Sequence, residues 1–487
     1  MPCTVDCLSK YGCEPIIQPE NGAVYAPFVE LRFNDRILTV GNSSAPPDNH
    51  IAIKSFEYGA GVGGLGVGIK VEAVDQGGVM YRQIMDALNK TTTLALSDLT
   101  SCSCRFGWII TDCNGNNRVV SNEDYGDRLY FLPLTMETNL ENGLIKFVFG
   151  GGSQVARWAE TRLTIPVGDQ THKISLKDAL RKLFTEYDPK VKDVKFKNKD
   201  GGELHFLNSD GSKDGPYGGW PTDQQNAPAI ARKWLSAVRT KDELGILMLY
   251  DPTGPYVIFQ EDPIENGRRC CHNSLGTFVV NGGSCSPVLS FNPTISWTKT
   301  GVAAGGGSTA GAASGDASQI VKPSKEKKIE KAGSQSGPTV QQHEWMWRFP
   351  DDMARKNAES FSAHIEANAK YEVEGILEAE LKILGRPDIV YAIDLLDKYI
   401  AIIVINPFHI STQECSWLTV SNCNKILSNK RWKINAVNHQ ISGGSYITTL
   451  KVSLGAQNSE FSADSPLGGS CGTETFPNSQ PLTPNGT

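Results

Sequence analysis

From Val29 onward, apolar and polar residues alternate: Val29, Leu31 and Phe33 face one way and their neighbours the other, which is the period of a half-buried strand. Asn34-Asp35 interrupts the pattern before Ile37, Leu38 and Val40. Asn and Asp tolerate the positive φ of a tight turn, so this stretch predicts a hairpin. Ile51, Ile53 and Phe56 give a further strand, and Val67, Ile69, Val71 and Ala73 alternate again. Between Val79 and Leu88 the period changes, with Met80, Ile84 and Leu88 on one helical stripe. Strand patterns return at Gly107 to Thr111 and Leu144 to Phe149. Residues 24–163 therefore predict a mostly antiparallel β-domain with one helix, preceded by an arm, residues 1–23, that contains cysteines.

The next stretch, residues 164–300, mixes periods. Ser175 is suited to cap a helix over Leu176 to Tyr187, with Asp178 where a carboxylate complements the helix dipole. Asp200 to Trp220 is rich in turn residues, Pro228 is placed to open a helix running to Arg239, and Leu244 to Leu249 and Tyr256 to Phe259 pattern as strands. A mixed α+β middle domain is the expectation. Residues 301–344 begin as GVAAGGGSTAGAASGDAS and continue through the basic run Lys322 to Lys331. Such a composition buries too little apolar surface to offset chain entropy and reads as a flexible linker. In residues 345–455, Asp351 or Asp352 caps a predicted helix reaching Asn368. Beyond it, Tyr371, Val373, Leu377, Ala379, Leu381 and Ile383 alternate with Glu372, Glu374, Glu378, Glu380 and Lys382. Lys398 to Ile405 predicts a strand buried on both faces. Trp432 to Ile441 and Ser445 to Leu454 predict a hairpin through Ser442-Gly443-Gly444. Residues 456–487 form a polar, Pro-rich tail. The fold class is thus α+β, mostly antiparallel β, with β-domains at both ends.

Composition narrows the function. The chain has 487 residues, enough for several domains, and its net charge of -6, from 47 basic and 53 acidic residues, gives no global attraction to nucleic acid or anionic membrane. The N-terminus lacks a basic start followed by an apolar run, and the longest strongly apolar stretch, Tyr399 to Ile405, is far short of the roughly 20 residues of a membrane helix. These features predict a soluble protein made in a cytoplasm, with no membrane insertion. The 12 cysteines include groups at Cys3, Cys7 and Cys13, at Cys102, Cys104 and Cys113, and at Cys270, Cys271 and Cys285. None forms a CxxC pair. Free buried thiols, disulfides formed after release from a cell and a metal site all stay open.

Chemistry-bearing motifs are sparse. Gly59 to Gly64 matches GxGxxG, but a dinucleotide site needs a helix to follow, and Leu65 to Val74 alternates as a strand. No GxxxxGK[ST], GxSxG or HExxH occurs. His409 and His439 fall in predicted strands, where a core or inter-strand role is expected. Trp108, Trp158, Trp220 and Trp234 lack the basic interleaving of a nucleic-acid stacking platform. No catalytic, cofactor-binding or metal-ligating residue is assigned, and the expectation is a protein that is not an enzyme and needs no cofactor.

Three segments carry a resemblance: EVEGILEAELKILGRPDI from Glu372, KYIAIIVINPFHI from Lys398, and KINAVNHQISGGSYITTLKVSL from Lys433. In the last, Val437, His439, Ile441, Gly443, Gly444, Tyr446, Thr448, Thr449 and Leu450 follow a Val-x-His-x-Ile, Gly turn, Tyr-x-Thr-Thr-Leu order. This resembles the tail-hub proteins of contractile phage tails, of the late-control-D type and the N-terminal part of VgrG spike proteins. The N-terminal cysteines and the Gly-rich linker depart from the family pattern. The resemblance implies two tail-tube-like β-barrel or sandwich domains flanking the middle domain. It implies a baseplate hub whose homotrimer closes a pseudo-sixfold ring and adapts a sixfold tail tube to a trimeric spike. The implied partners are the tube, the central spike and other baseplate proteins. DNA would pass through the lumen without specific binding, and the protein would reside in the virion tail baseplate after assembly in the host cytoplasm. A tail-associated cell-wall-degrading enzyme and a secreted, disulfide-bonded adhesin are the alternatives.

Overall fold

The computed structural model describes residues 23–33, 36–40, 50–62, 67–75, 102–126, 128–139, 144–150, 166–169, 171–185, 193–198, 200–207, 219–222, 224–235, 246–251, 256–261, 273–281, 286–295, 304–311, 318–327, 347–350, 377–396, 398–404 and 430–454, with short pieces between them. The arm with Cys3, Cys7 and Cys13, Gly63 and Gly64 of the Gly59–Gly64 stretch, Trp158, Cys270, Cys271, Cys285, the helix expected up to Asn368, Glu372, Glu374, His409 and the tail after Leu454 lie outside the described residues.

The amino-terminal strands are β1 (Val24–Phe33), β2 (Arg36–Val40), β3 (His50–Gly61), β4 (Val67–Val74), β5 (Cys102–Thr111), β6 (Asn117–Ser121), β7 (Leu129–Asn139) and β8 (Leu144–Gly150). Backbone ladders run β3-β2-β1-β5-β7-β8-β4, and a β3–β4 ladder closes that path into a ring of strands. All pairs are antiparallel except β2 with β3. The period-2 pattern decides the inside: β4 alternates buried and half-buried or exposed residues, with Val67, Ile69, Val71 and Ala73 inward. Helical backbone occurs at Tyr81, Arg82, Met85, Asp86 and Asn89, within and just past the stretch expected to be helical.

A second unit follows. Helix α1 (Leu176–Thr185) is capped by Ser175, whose hydroxyl accepts from the Asp178 amide at 3.2 Å and donates to its carboxylate at 2.8 Å. Strands β9 (Asp193–Lys197) and β10 (Phe206–Leu207) precede helix α2 (Ala227–Leu235), whose cap is Asn226 rather than the residue before Pro228. Arg239 is not helical as expected: it lies in β11 (Arg239–Thr240), paired with Leu207. Strands β12 (Ile246–Asp251) and β13 (Tyr256–Glu261) form a hairpin with β13 also parallel to β9. Val194, Phe196, Met248, Tyr250, Val257 and Phe259 share a core with α1, α2, Trp220 and Trp234. On the opposite face of this sheet, Leu249 and Ile258 pack on Leu396, with Val62 beside them. A small hairpin, β14 (Ile264–Glu265) with β15 (Arg268–Arg269), ends the unit.

Strands β16 (Asn273–Val280) and β17 (Val288–Ile295) fall in the stretch assigned from sequence to the middle domain, yet their partners lie far downstream. Alternation reveals a strand but not its partner. The segment read as a linker contains β18 (Ala304–Gly311) and β19 (Ser318–Lys327), which pair with each other, and β19 also pairs with β20 (Trp347–Pro350) in a sheet of its own. A backbone ladder needs no apolar core, which is why composition alone gave no strand there. The carboxy-terminal strands are β21 (Leu377–Leu384), β22 (Lys398–Val404), β23 (Lys430–Ser442) and β24 (Ser445–Leu454). They form the order β17-β21-β24-β23, with β23 continuing to β22 and β22 to β16. Positive φ at Gly443 and Gly444 makes the tight β23–β24 turn.

The two β-rich halves share a set of ladders. β3–β4 and β17–β21 are antiparallel pairs with a register shift at Ile53/Ser55 in one and Val288/Ser290 in the other. β7–β8 and β23–β24 are hairpins with a shift at Pro133/Thr135 in one and Ile434/Ala436 in the other. β8 pairs with β4 as β24 pairs with β21. β5 covers only the start of β7, at Leu129 to Phe131, as β22 covers only the start of β23, at Lys430 to Lys433. The halves differ elsewhere: β1 is antiparallel to β5 whereas β16 is parallel to β22, and the β2 bridge between β1 and β3 and the β6 strand on β5 have no counterpart among the described residues of the second half.

Candidate functional site at the seam between the repeats

The halves meet edge to edge. Past its contact with β22, β23 turns the same edge to β3 and pairs antiparallel with it from Ala436 opposite Gly61 to Ser442 opposite Ser55. The first three residues of the supposed nucleotide loop, Gly59 to Gly61, are therefore strand residues in a ladder with β23. The next described element is the strand β4, where a dinucleotide site would need a helix.

Side chains tie the same junction. His439 lies opposite Tyr58, fully buried, with the Tyr58, Phe106 and Tyr446 rings at centroid distances of 5.7, 5.0 and 5.8 Å. Its Nε2 is 2.8 Å from the Ile389 carbonyl, and its Nδ1 is 2.9 Å from the Tyr446 hydroxyl and 3.1 Å from that of Thr448. A carbonyl only accepts, so Nε2 carries the proton and Nδ1 is the acceptor. Burial lowers the His439 pKa to about 4, against a smaller upward effect of the Ile389 hydrogen bond, so the ring is neutral at ordinary pH. Burial likewise pushes the Tyr58 and Tyr446 hydroxyls up, which keeps both as donors.

The segment 385–391, which follows β21, runs across this junction as a strap. The Gly385 amide donates to Tyr446 O at 2.9 Å, and the Gly385 carbonyl accepts from Trp108 Nε1 at 2.9 Å. The Arg386 amide donates to Thr448 Oγ1 at 2.8 Å, and Tyr58 donates to the Val390 carbonyl at 2.9 Å. Both halves therefore hold the strap: Trp108 and Tyr58 from the first, His439, Tyr446 and Thr448 from the second. Gly385 is required by close approach, since a Cβ there would run into the Tyr446 ring. At the outer end, Tyr391 packs on Gly126, where an added Cβ would lie 2.5 Å from the ring.

Other sequence-named residues fall elsewhere. Cys102 and Cys104 are buried free thiols on the inner face of β5, and burial pushes both up in pKa, so neither is a poised thiolate; Cys113 is exposed in the β5–β6 turn. Among the described residues no group of His, Cys, Asp and Glu is disposed to hold a metal ion, and no helix is long and apolar enough to cross a membrane. Trp220 and Trp234 pack on each other in the middle core at 5.3 Å. Of the expected acidic row, Glu378 is exposed, while Glu380 pairs with Lys382 at 3.2 Å and lies opposite Lys451, so this part of the face is mixed in charge. The sequence also gave no sign of a buried carboxylate, Glu30. Burial pushes Glu30 up, but hydrogen bonds from Arg128 and Arg105 and the charges of Arg105 and Arg32 hold it below the usual carboxylate range.

The motif that carried the resemblance thus maps onto the seam: His439, Tyr446 and Thr448 are its bonded core. No family model and no curated protein matches the chain. Solved structures give weak likenesses. The tail protein from Neisseria meningitidis MC58 has 8% sequence identity and a TM-score of 0.46, over 88% of this chain and 96% of that one. The 43 kDa tail protein of prophage MuSo2 from Shewanella oneidensis has 9% identity and a TM-score of 0.42, over 89% of this chain and 100% of that one. The E. coli c3393 protein, described as a component of the type VI secretion system similar in structure to T4 bacteriophage tail proteins gp27 and gp5, has 9% identity and a TM-score of 0.39, over 87% of this chain and 76% of that one. These likenesses carry no assignment of function.

Proposed function

We propose that this chain is a structural hub of a phage-type tail or injection apparatus, which trimerises into a pseudo-sixfold ring and adapts a tail tube to a trimeric spike. One observation carries the reading: a single chain holds two β-units with matching ladders and matching register shifts, joined edge to edge through β3 and β23. Two similar units per chain are what symmetry matching needs, because three copies then present six near-equivalent positions. The motif at Val437 to Leu450 supports the same reading through the hub-family resemblance. In this reading the middle domain and the 301–344 segment are additions to the ring, and the polar outer faces of β21, β24 and β3 line a lumen or a neighbour. The site has the composition of a joint, with side chains spent on holding backbone together.

Light scattering and negative-stain imaging of the purified chain test it. A trimer with a six-lobed outline is expected. A protein that stays monomeric across the accessible concentration range, with and without a tube or spike protein, overturns the ring.

A further inference from the structure

The repeat provides two equivalent pairs of strand edges, and among the described residues one pair is joined within the chain. Within the chain, the edge of β23 beyond β22 pairs with the edge of β3. The counterpart of β23 is β7, and the counterpart of β3 is β17. β7 leaves β5 after Phe131, and among the described residues no strand pairs with that edge further on. β17 ends the large sheet, with β21 on one side and no strand among the described residues on the other. The two open edges are therefore the counterparts of the two edges already joined. They belong to opposite units of the chain and to distant places in the strand order.

We infer that the β7 edge of one copy pairs antiparallel with the β17 edge of a second copy, repeating between chains the β23–β3 joint found within the chain. A heterologous contact of this kind leaves each copy with one edge still to fill, so the pairing propagates until it closes. The register follows from the ladders. Asn438 opposite Gly59 becomes Glu137 opposite Thr294, and Gln440 opposite Glu57 becomes Asn139 opposite Asn292 of the next copy. His439 opposite Tyr58 becomes Thr138 opposite Pro293, so this ladder is one donor short and has no buried imidazole to brace it. The joint between chains is consequently weaker than the joint within a chain. Open edges of this length invite unspecific pairing, and a proline on β17 restricts which strand can add there.

This inference rests on the ring reading for the number of copies and adds which strands meet. The test is the full chain carrying Glu137→Cys and Thr294→Cys, mixed as isotopically light and heavy protein and oxidised. Paired residues in a ladder lie within disulfide reach. Asn438→Cys with Gly59→Cys is the positive control, and its link should form within one chain, since an added Cβ at Gly59 meets nothing within 4 Å. The expected result is a 137–294 peptide joining light to heavy chains, absent from either single variant. A trimer that gives no such peptide while the control links overturns the β7–β17 pairing and leaves the ring intact. A monomer without the link overturns both.

Discussion

His439 is where one residue controls the joint. Its ring is neutral in the folded chain down to about pH 4 but protonates near its ordinary 6.5 when the chain unfolds. Between those values the unfolded chain binds the extra proton, so stability rises with pH across the window. The His439 contribution is complete above about pH 6.5 and is lost as pH falls to about 4, with a total near 3 kcal/mol. His439→Gln should be less stable at neutral pH, because its amide cannot satisfy the Ile389 carbonyl and two hydroxyls with the same geometry. The variant should also lack the wild-type slope in this window. Urea unfolding at several pH values reads both, and Glu30, whose carboxyl is held below the usual range in either protein, acts equally on the two, so the difference between their slopes belongs to His439. Equal slopes in the two proteins would remove His439 from the joint.

The strap is an element without regular secondary structure, held by side chains from both halves. Tyr58→Phe removes the donor to the Val390 carbonyl and Trp108→Phe the donor to the Gly385 carbonyl. Each leaves a carbonyl short of a partner and should cost about 1–3 kcal/mol. Amide exchange of residues 385–391 should accelerate in both variants, with the amides of α1 unchanged; acceleration spread evenly over the chain would mean that the strap is not a separate element. Much at this scale was legible. The alternation at Val67 to Ala73 and at Tyr446 to Val452 gave strands and their inner faces, and Ser175 with Asp178 gave the start of α1. What stayed hidden is long-range: nothing local distinguishes β16 and β17 from middle-domain strands, because partner choice is set by packing across the chain. The site was half visible. The His439 and Tyr446 positions drew notice as a motif, but Trp108, Tyr58 and the strap became a site only once β23 lay against β3.

At the scale of the molecule, the seam makes two units into one. The buried side chains of both β-rich halves form a single continuous cluster that includes Phe56, Tyr58 and Phe106 from the first and Leu450, Tyr446 and Trp432 from the second. The middle unit has its own core around Trp220, Trp234 and Phe259, and among the described residues a small apolar contact, Leu249 and Ile258 with Leu396, joins it to the rest. Cooperativity follows shared burial, so unfolding should divide at that small contact and not at the seam. Phe56→Ala and Leu450→Ala each empty part of the same cluster, at a cost of about 2–5 kcal/mol. In scanning calorimetry both should lower one and the same transition although they lie in different halves. Trp234→Ala should lower the other transition and leave the first in place. If Phe56→Ala and Leu450→Ala moved separate transitions, the halves would be independent domains in mere contact. The β3–β23 ladder would then be too weak to serve as the template for a joint between copies. A shared transition means that each chain enters an assembly as one rigid pair of units, with the spacing between its two open edges already set.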